Sequence, residues 1–186
     1  MKRKQPTITA YLLPLLLLLC YQPVFAEKFE IVEAHISLQN EIYHLSSTIR
    51  YPLDTELTTA LHRGVVLPIK VIVEVYLPRS YLPDTEIAFL KQRYELRFHA
   101  LTRQYIVTNH NSGASTSYRS LALALQHLGE INNLPIIDKN LLTEGVEYRV
   151  RVRAAINTGL LAIPLKLTSY FYGPWRSESA WWDMPL

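Results

Sequence analysis

Polar and apolar residues alternate along most of this chain. In residues 29–38 (FEIVEAHISL), Val32, Ala34, Ile36 and Leu38 share one side and Glu33, His35 and Ser37 the other. That two-residue period is the mark of a half-buried strand. Gln39 and Asn40 turn the chain. Residues 41–51 then alternate again, with Tyr43, Leu45, Ser47, Ile49 and Tyr51 on one side. Two such runs across a two-residue break predict an antiparallel hairpin. Pro52 stops the second run, and Asp54 stands as an N-cap for a short helix ending at Gly64. Residues 65–77 (VVLPIKVIVEVYL) carry Leu67, Ile69, Val71, Val73 and Val75 in alternation, and their β-branched content predicts a central strand.

After the proline-punctuated connection from Pro78 to Asp84, residues 86–99 form a long strand. Ala88, Leu90, Tyr94, Leu96 and Phe98 lie on one face, and Lys91, Arg93, Glu95, Arg97 and His99 on the other. Residues 104–108 return, and 109–113 read as a loop. Residues 118–128 (YRSLALALQHL) predict a helix capped by Ser117 and stopped by Gly129. Asn132 to Leu142, broken by Pro135, reads as a loop or short edge segment. Residues 145–156 predict a strand with Val146, Tyr148, Val150, Val152 and Ala154 inward and Glu147, Arg149, Arg151 and Arg153 outward. Residues 165–172 predict a last strand. Six or seven strands with short connections and two short helices predict a mainly β fold, an antiparallel β-sandwich or strongly curved sheet. A mixed α+β sheet is the alternative.

Composition matters here chiefly through its distribution. The formal charge of the 186-residue chain is +3, but Lys2, Arg3 and Lys4 precede any acid, and the first acid is Glu27. An uncharged stretch runs from Gln5 to Ala26, and Val24-Phe25-Ala26 suits a signal peptidase. Residues 1–26 therefore read as a signal peptide, and 27–186 as a single β-rich domain in the periplasm. An uncleaved inner-membrane anchor is the rival, since the run is long enough to span a bilayer if helical. Cys20 as a lipidation site fits poorly, because Leu18 and Leu19 precede it. Without the leader, sixteen basic and sixteen acidic residues balance, so nucleic acid is an unlikely partner. No Cys remains, so no disulfide framework or thiol nucleophile is expected.

The run Tyr94 to Tyr105 (YELRFHALTRQY) resembles the most recognisable motif of domain-of-unknown-function family 4390, a family of exported proteobacterial proteins. Ala60 to Leu67 (ALHRGVVL) is similar to its "AL..G..L" segment. Ser120-Leu121 with Ala124-Leu125 looks like its "sL..AL" helix, and Trp175 with Ser179, Trp181 and Trp182 its closing segment. The resemblance covers nearly all of the chain after the leader. It implies no activity, cofactor or catalytic residue. Some members resemble accessory proteins encoded near membrane sensor kinases, which points to a signalling system of the envelope.

Three groups of residues are candidates for an interaction surface. Arg97 and His99, with Arg103 and Gln104 beyond the turn, could grip a carboxylate or phosphate. The plainer account is that His99, Thr102 and Gln104 fix the hairpin by hydrogen bonds. Arg149, Arg151 and Arg153 share one strand face, as a positive stripe for an anionic partner or as one paired with acids such as Glu74 or Glu95. Trp181 and Trp182 belong to an aromatic tail with Tyr170, Phe171, Tyr172 and Trp175, suited to a membrane interface, a partner's pocket or the end of the sandwich. Trp175 and one of Trp181 and Trp182 are expected to dock, with the other at the rim, and Trp182 and Met184 could still protrude while Trp175 packs.

The six His residues make neither HExxH nor a close His-x-His pair, so no metal is expected. No Gly-x-Ser-x-Gly frame or phosphate-cradling glycine loop is present, and no cofactor is expected. These features favour a non-enzymatic interaction module whose partner is an envelope or membrane protein. The alternative is a periplasmic binding protein for a small or lipidic anion, with a cavity lined by Tyr94, Phe98 and Leu125.

Overall fold

Asn40 and Glu41 have φ of +50° and +61°, the two left-handed residues that a type I′ turn requires. They join strand β1 (Glu30–Gln39) to strand β2 (Ile42–Arg50), pairing Gln39 with Ile42 and Glu30 with Arg50. The computed structural model describes residues 28–156 and 177–186. The leader with Cys20, the expected strand at 165–172, and Tyr170, Phe171, Tyr172 and Trp175 lie outside the described residues.

Alternation in β1 is interrupted. Ile31 pairs with Ile49 and Glu33 with Thr48, so Val32 is the extra residue of a β-bulge. The bulge turns Ile31 into the core and leaves Val32 41% exposed. The expected inward face of Val32, Ala34, Ile36 and Leu38 holds only for Ala34 and Ile36, which pack against the core.

Helix α1 (Thr55–His62) starts where the sequence placed it, with Asp54 Oδ1 accepting the Leu57 amide at 2.8 Å. Losing such a cap costs about 1 kcal/mol. Gly64, at φ +88°, ends the helix and donates to Leu61 O. Strands β3 (Leu67–Leu77), β4 (Thr85–His99) and β5 (Gln104–Asn109) follow as expected. Next comes a short strand the sequence pattern did not reveal, β6 (Ser115–Tyr118). Ser117 is therefore a strand residue. The cap of helix α2 (Leu121–Gly129) is Ser120, whose Oγ accepts the Leu123 amide at 3.3 Å.

Gly129 does not end α2 by a left-handed turn, because the chain leaves through Glu130 in extended geometry. Its lack of a side chain serves packing. A Cβ there would collide with the main-chain oxygen of Ile49. The segment read as a loop is strand β7 (Glu130–Asp138), paired with β2 at the edge of its sheet. Pro135 is tolerated there because an edge strand has one unpaired side. A short 3₁₀ turn (Lys139–Leu141) leads to a connection, and strand β8 (Arg149–Ile156) begins only at Arg149. Val146 lies in that connection and is exposed, contrary to expectation. Strand β9 (Trp182–Pro185) pairs with β8.

The strands form two antiparallel sheets, ordered β1-β2-β7 and β6-β5-β4-β3-β8-β9. Both supply the core, with α1 contributing Leu57 and Leu61 and α2 Ala124 and Leu128. This is the mainly β sandwich with two short helices that the alternation predicts. Val71, Val73, Leu96, Val150 and Val152 are fully buried in one cluster, and Phe98 packs against it. Strand β3 is central, as its composition implied. Its second face is also covered, where Ile72 lies between Lys91 and Arg153 and is buried by their aliphatic stems.

Candidate functional site

Strand β8 places Arg149, Arg151 and Arg153 on the outer face of the six-stranded sheet, opposite Tyr76, Glu74 and Ile72 of β3. They are not a free positive stripe. Arg149 donates from Nε to Asp183 Oδ1 at 2.6 Å, and the Tyr76 hydroxyl donates to the other oxygen of the same carboxylate. Arg151 Nε donates to Glu74 Oε2 at 2.6 Å and lies 3.7 Å from Asp84. Arg153 stands 3.6 Å from Glu178. The pairing with Glu74 follows from the register. Glu95 instead pairs with His110, at 2.9 Å.

Trp181 lies under this row, with the Arg153 and Arg151 guanidinium groups 4.5 Å and 5.1 Å from its ring centre. Trp182 is at the rim, 37% exposed, whereas Met184 is buried, contrary to the expectation that it protrudes. The cause is strand pairing: Met184 sits opposite the core residue Val150. The described part of the tail is thus a strand clamped by charge and stacking. Burial, then the positive charges of Lys91 and Arg153, hold the nearby Lys70 ammonium below its usual value, with Glu178 opposing. Each arginine of the row thus faces a carboxylate, Asp183, Glu74 or Glu178.

The turn after β4 carries His99, Arg103 and Gln104, with Arg97 two residues back along β4 opposite Ile106. His99 Nδ1 lies 2.9 Å from Thr102 Oγ1 and accepts the Thr102 amide at 3.4 Å. Arg103 takes the left-handed position, φ +53°, and Gln104 pairs with His99. His99 is therefore committed to the turn. This turn and Arg149 lie at opposite ends of the sandwich, because β4 runs fifteen residues from Thr85 to His99. The two arginine groups cannot form one site. Tyr94, Phe98 and Leu125 pack against the core.

A concave feature lies at the other end, lined largely by connections between strands. The β1–β2 turn, the start of the β3–β4 connection, the segment from Lys139 to Tyr148 and the end of β9 surround a groove of about 1000 Å³. Tyr43, Pro78, Leu142, Val146, Tyr148 and Leu186 supply apolar walls, and Glu41, Glu144 and Glu147 supply carboxylates. Its two cations are occupied: Lys139 Nζ is 3.6 Å from Glu41, and Arg149 is held by Asp183. Apolar side chains at this end reach into solvent, with Tyr81 98%, Leu141 74% and Leu82 63% exposed. Pro78 and Pro83 were the available signal, since they mark where β3 gives way to a loop.

Among the described residues, no group of three His, Cys, Asp or Glu side chains is placed to hold a metal ion. No described helix is long and apolar enough to cross a membrane. No curated protein matches the chain, and no solved structure does. One family model does match, over residues 26–185, and its description is "Domain of unknown function (DUF4390)". The match spans every described strand and both helices, and on that extent the chain belongs to the DUF4390 family.

Proposed function

We propose that this protein is a non-enzymatic interaction module that works in the periplasm, and that the groove end of the sandwich is its contact surface. The observation that carries this is the exposure of Tyr81 and Leu82 in the β3–β4 connection and of Leu141 in the 3₁₀ turn, two segments that also contribute walls to the groove. Side chains of that size left in water at one end of a fold mark surface that a partner covers. Rigid strands behind the loops hold the surface in shape before binding, which lowers the ordering cost of association. Work of this kind is equilibrium binding to an envelope protein, in keeping with an accessory role in envelope signalling. The lining argues against a small or lipidic anion as the occupant, because both of its cations are engaged by carboxylates.

The test uses the full chain and a Tyr81→Ser/Leu82→Ser/Leu141→Ser variant, each immobilised and exposed to envelope extract. The expected result is a protein retained by the wild type and lost by the variant, with equal melting temperatures for both. Equal recovery on both would overturn the assignment of this end as the contact surface.

A further inference from the structure

We propose that the groove accepts an extended, basic segment of its partner, with Lys or Arg side chains alternating with apolar ones. This rests on the interaction reading above and specifies the chemistry of the partner. Three observations lead to it. First, apolar and charged side chains share the walls, and a volume of about 1000 Å³ is at the upper end for a small-molecule pocket. An open trough of that size suits a length of chain. Second, the charge not neutralised within the groove is negative. Glu144 and Glu147 are exposed and have no ion pair or hydrogen bond among the described residues. Lys139 and Arg149, by contrast, already face Glu41 and Asp183. An incoming cation gains from those two carboxylates, whereas an incoming anion meets only repulsion. Third, residues 144–147 belong to no strand and are exposed. The Val146 amide donates to Thr143 O, and the remaining main-chain groups of this segment are left to an extended partner, which pairs through its backbone and places alternate side chains on opposite sides.

The test is fluorescence anisotropy with labelled peptides of about ten residues. One alternates Lys with Val, one Glu with Val, and one Ser with Val. The full chain is compared with a Glu144→Gln/Glu147→Gln variant, whose changes are on the surface and leave its melting temperature as a control on folding. The Lys peptide is expected to bind at least about tenfold more tightly than the Glu peptide. The double variant should weaken the Lys peptide about fivefold, and added salt should do the same. Equal affinity for the Lys and Glu peptides, an unchanged affinity in the double variant, or no binding of the Lys peptide would each overturn the proposal. If the Lys peptide fails while the Tyr81→Ser/Leu82→Ser/Leu141→Ser variant still loses its envelope protein, the charge inference falls and the interaction reading stands. If that variant keeps its protein, the assignment of this end as the contact surface falls.

Discussion

Ser179 and Ala154 hold each other twice. The Ser179 amide donates to the Ala154 carbonyl at 2.8 Å, and the Ala154 amide donates to Ser179 Oγ at 3.0 Å. Ser179 is buried, and its hydroxyl donates in turn to Ala180 O at 2.8 Å. One side chain thus satisfies a buried donor and fixes the approach to β9. Ser179→Ala would leave the Ala154 N–H without its partner. The expected loss is about 1–3 kcal/mol, read as a lower urea midpoint with an unchanged slope. A midpoint equal to that of the wild type would contradict this role.

Gly129 is the second test. Because a Cβ at this position meets the Ile49 carbonyl oxygen, Gly129→Ala forces α2 away from β2. Helix propensity alone would make the change favourable by about 1 kcal/mol. The collision should win and give a net loss of about 2 kcal/mol, typical of overpacking. A rise in melting temperature would show that α2 shifts freely.

Much of the architecture was legible in the alternation, and the failures have local causes. A period of two reports which face a residue occupies only while the register is unbroken, so the bulge at Val32 could not be read from polarity. Pro135 looked like a breaker because sequence does not show that β7 has an unpaired edge. Ser117 and Ser120 are equivalent as letters. Only the position of β6 selects the second as the cap. The arginine row was read correctly as a face, and its pairing with Glu74 required strand order. The groove was invisible for a different reason: its lining comes from four separate segments whose meeting depends on the whole topology.

Tyr51 gives a prediction about pH. Its ring is buried edge-on to Phe29, with centroids 4.8 Å apart, and its hydroxyl has no hydrogen-bond partner among the described residues. Burial, and then the neighbouring Tyr94, push its pKa far above the ordinary value of 10.0. Burial also raises Tyr94. Below pH 10 folded and unfolded chains both hold these protons. Above it the unfolded chain releases protons that the fold retains, so stability falls as pH rises, by up to about 1.4 kcal/mol per unit for each such group. Urea titrations from about pH 9 to pH 11 should show this decline, and Tyr51→Phe should make it shallower. At neutral pH that variant should match or exceed the wild type, since it removes a buried hydroxyl that lacks a partner. A steeper alkaline decline in the variant would reverse the assignment.

The Glu74–Arg151 pair is the fourth test. The Glu74 side chain is 15% exposed, and Arg151 32%. Arg151→Met would strand a mostly buried carboxylate, and Glu74→Gln a guanidinium that still has Asp84 at 3.7 Å and Tyr76 below it. The arginine change should therefore be the costlier, by roughly 1–2 kcal/mol. The double variant should recover part of the loss, with a coupling of about 1 kcal/mol in a double-mutant cycle. Strict additivity would mean that the two side chains do not interact in solution.

The same pair carries a kinetic consequence, since Glu74 and Arg151 lie 77 positions apart in the chain. Strand β3 can zip to β4 through a short connection, but its other edge stays open until β8 has been made. A strand rich in β-branched residues, with one edge unpaired, invites pairing with other chains. Folding should therefore be slow, on the scale of milliseconds to seconds typical of topologies dominated by distant pairings. The docking of β8 against β3 closes that edge, and the interval before it is when the chain most needs protection from its own copies.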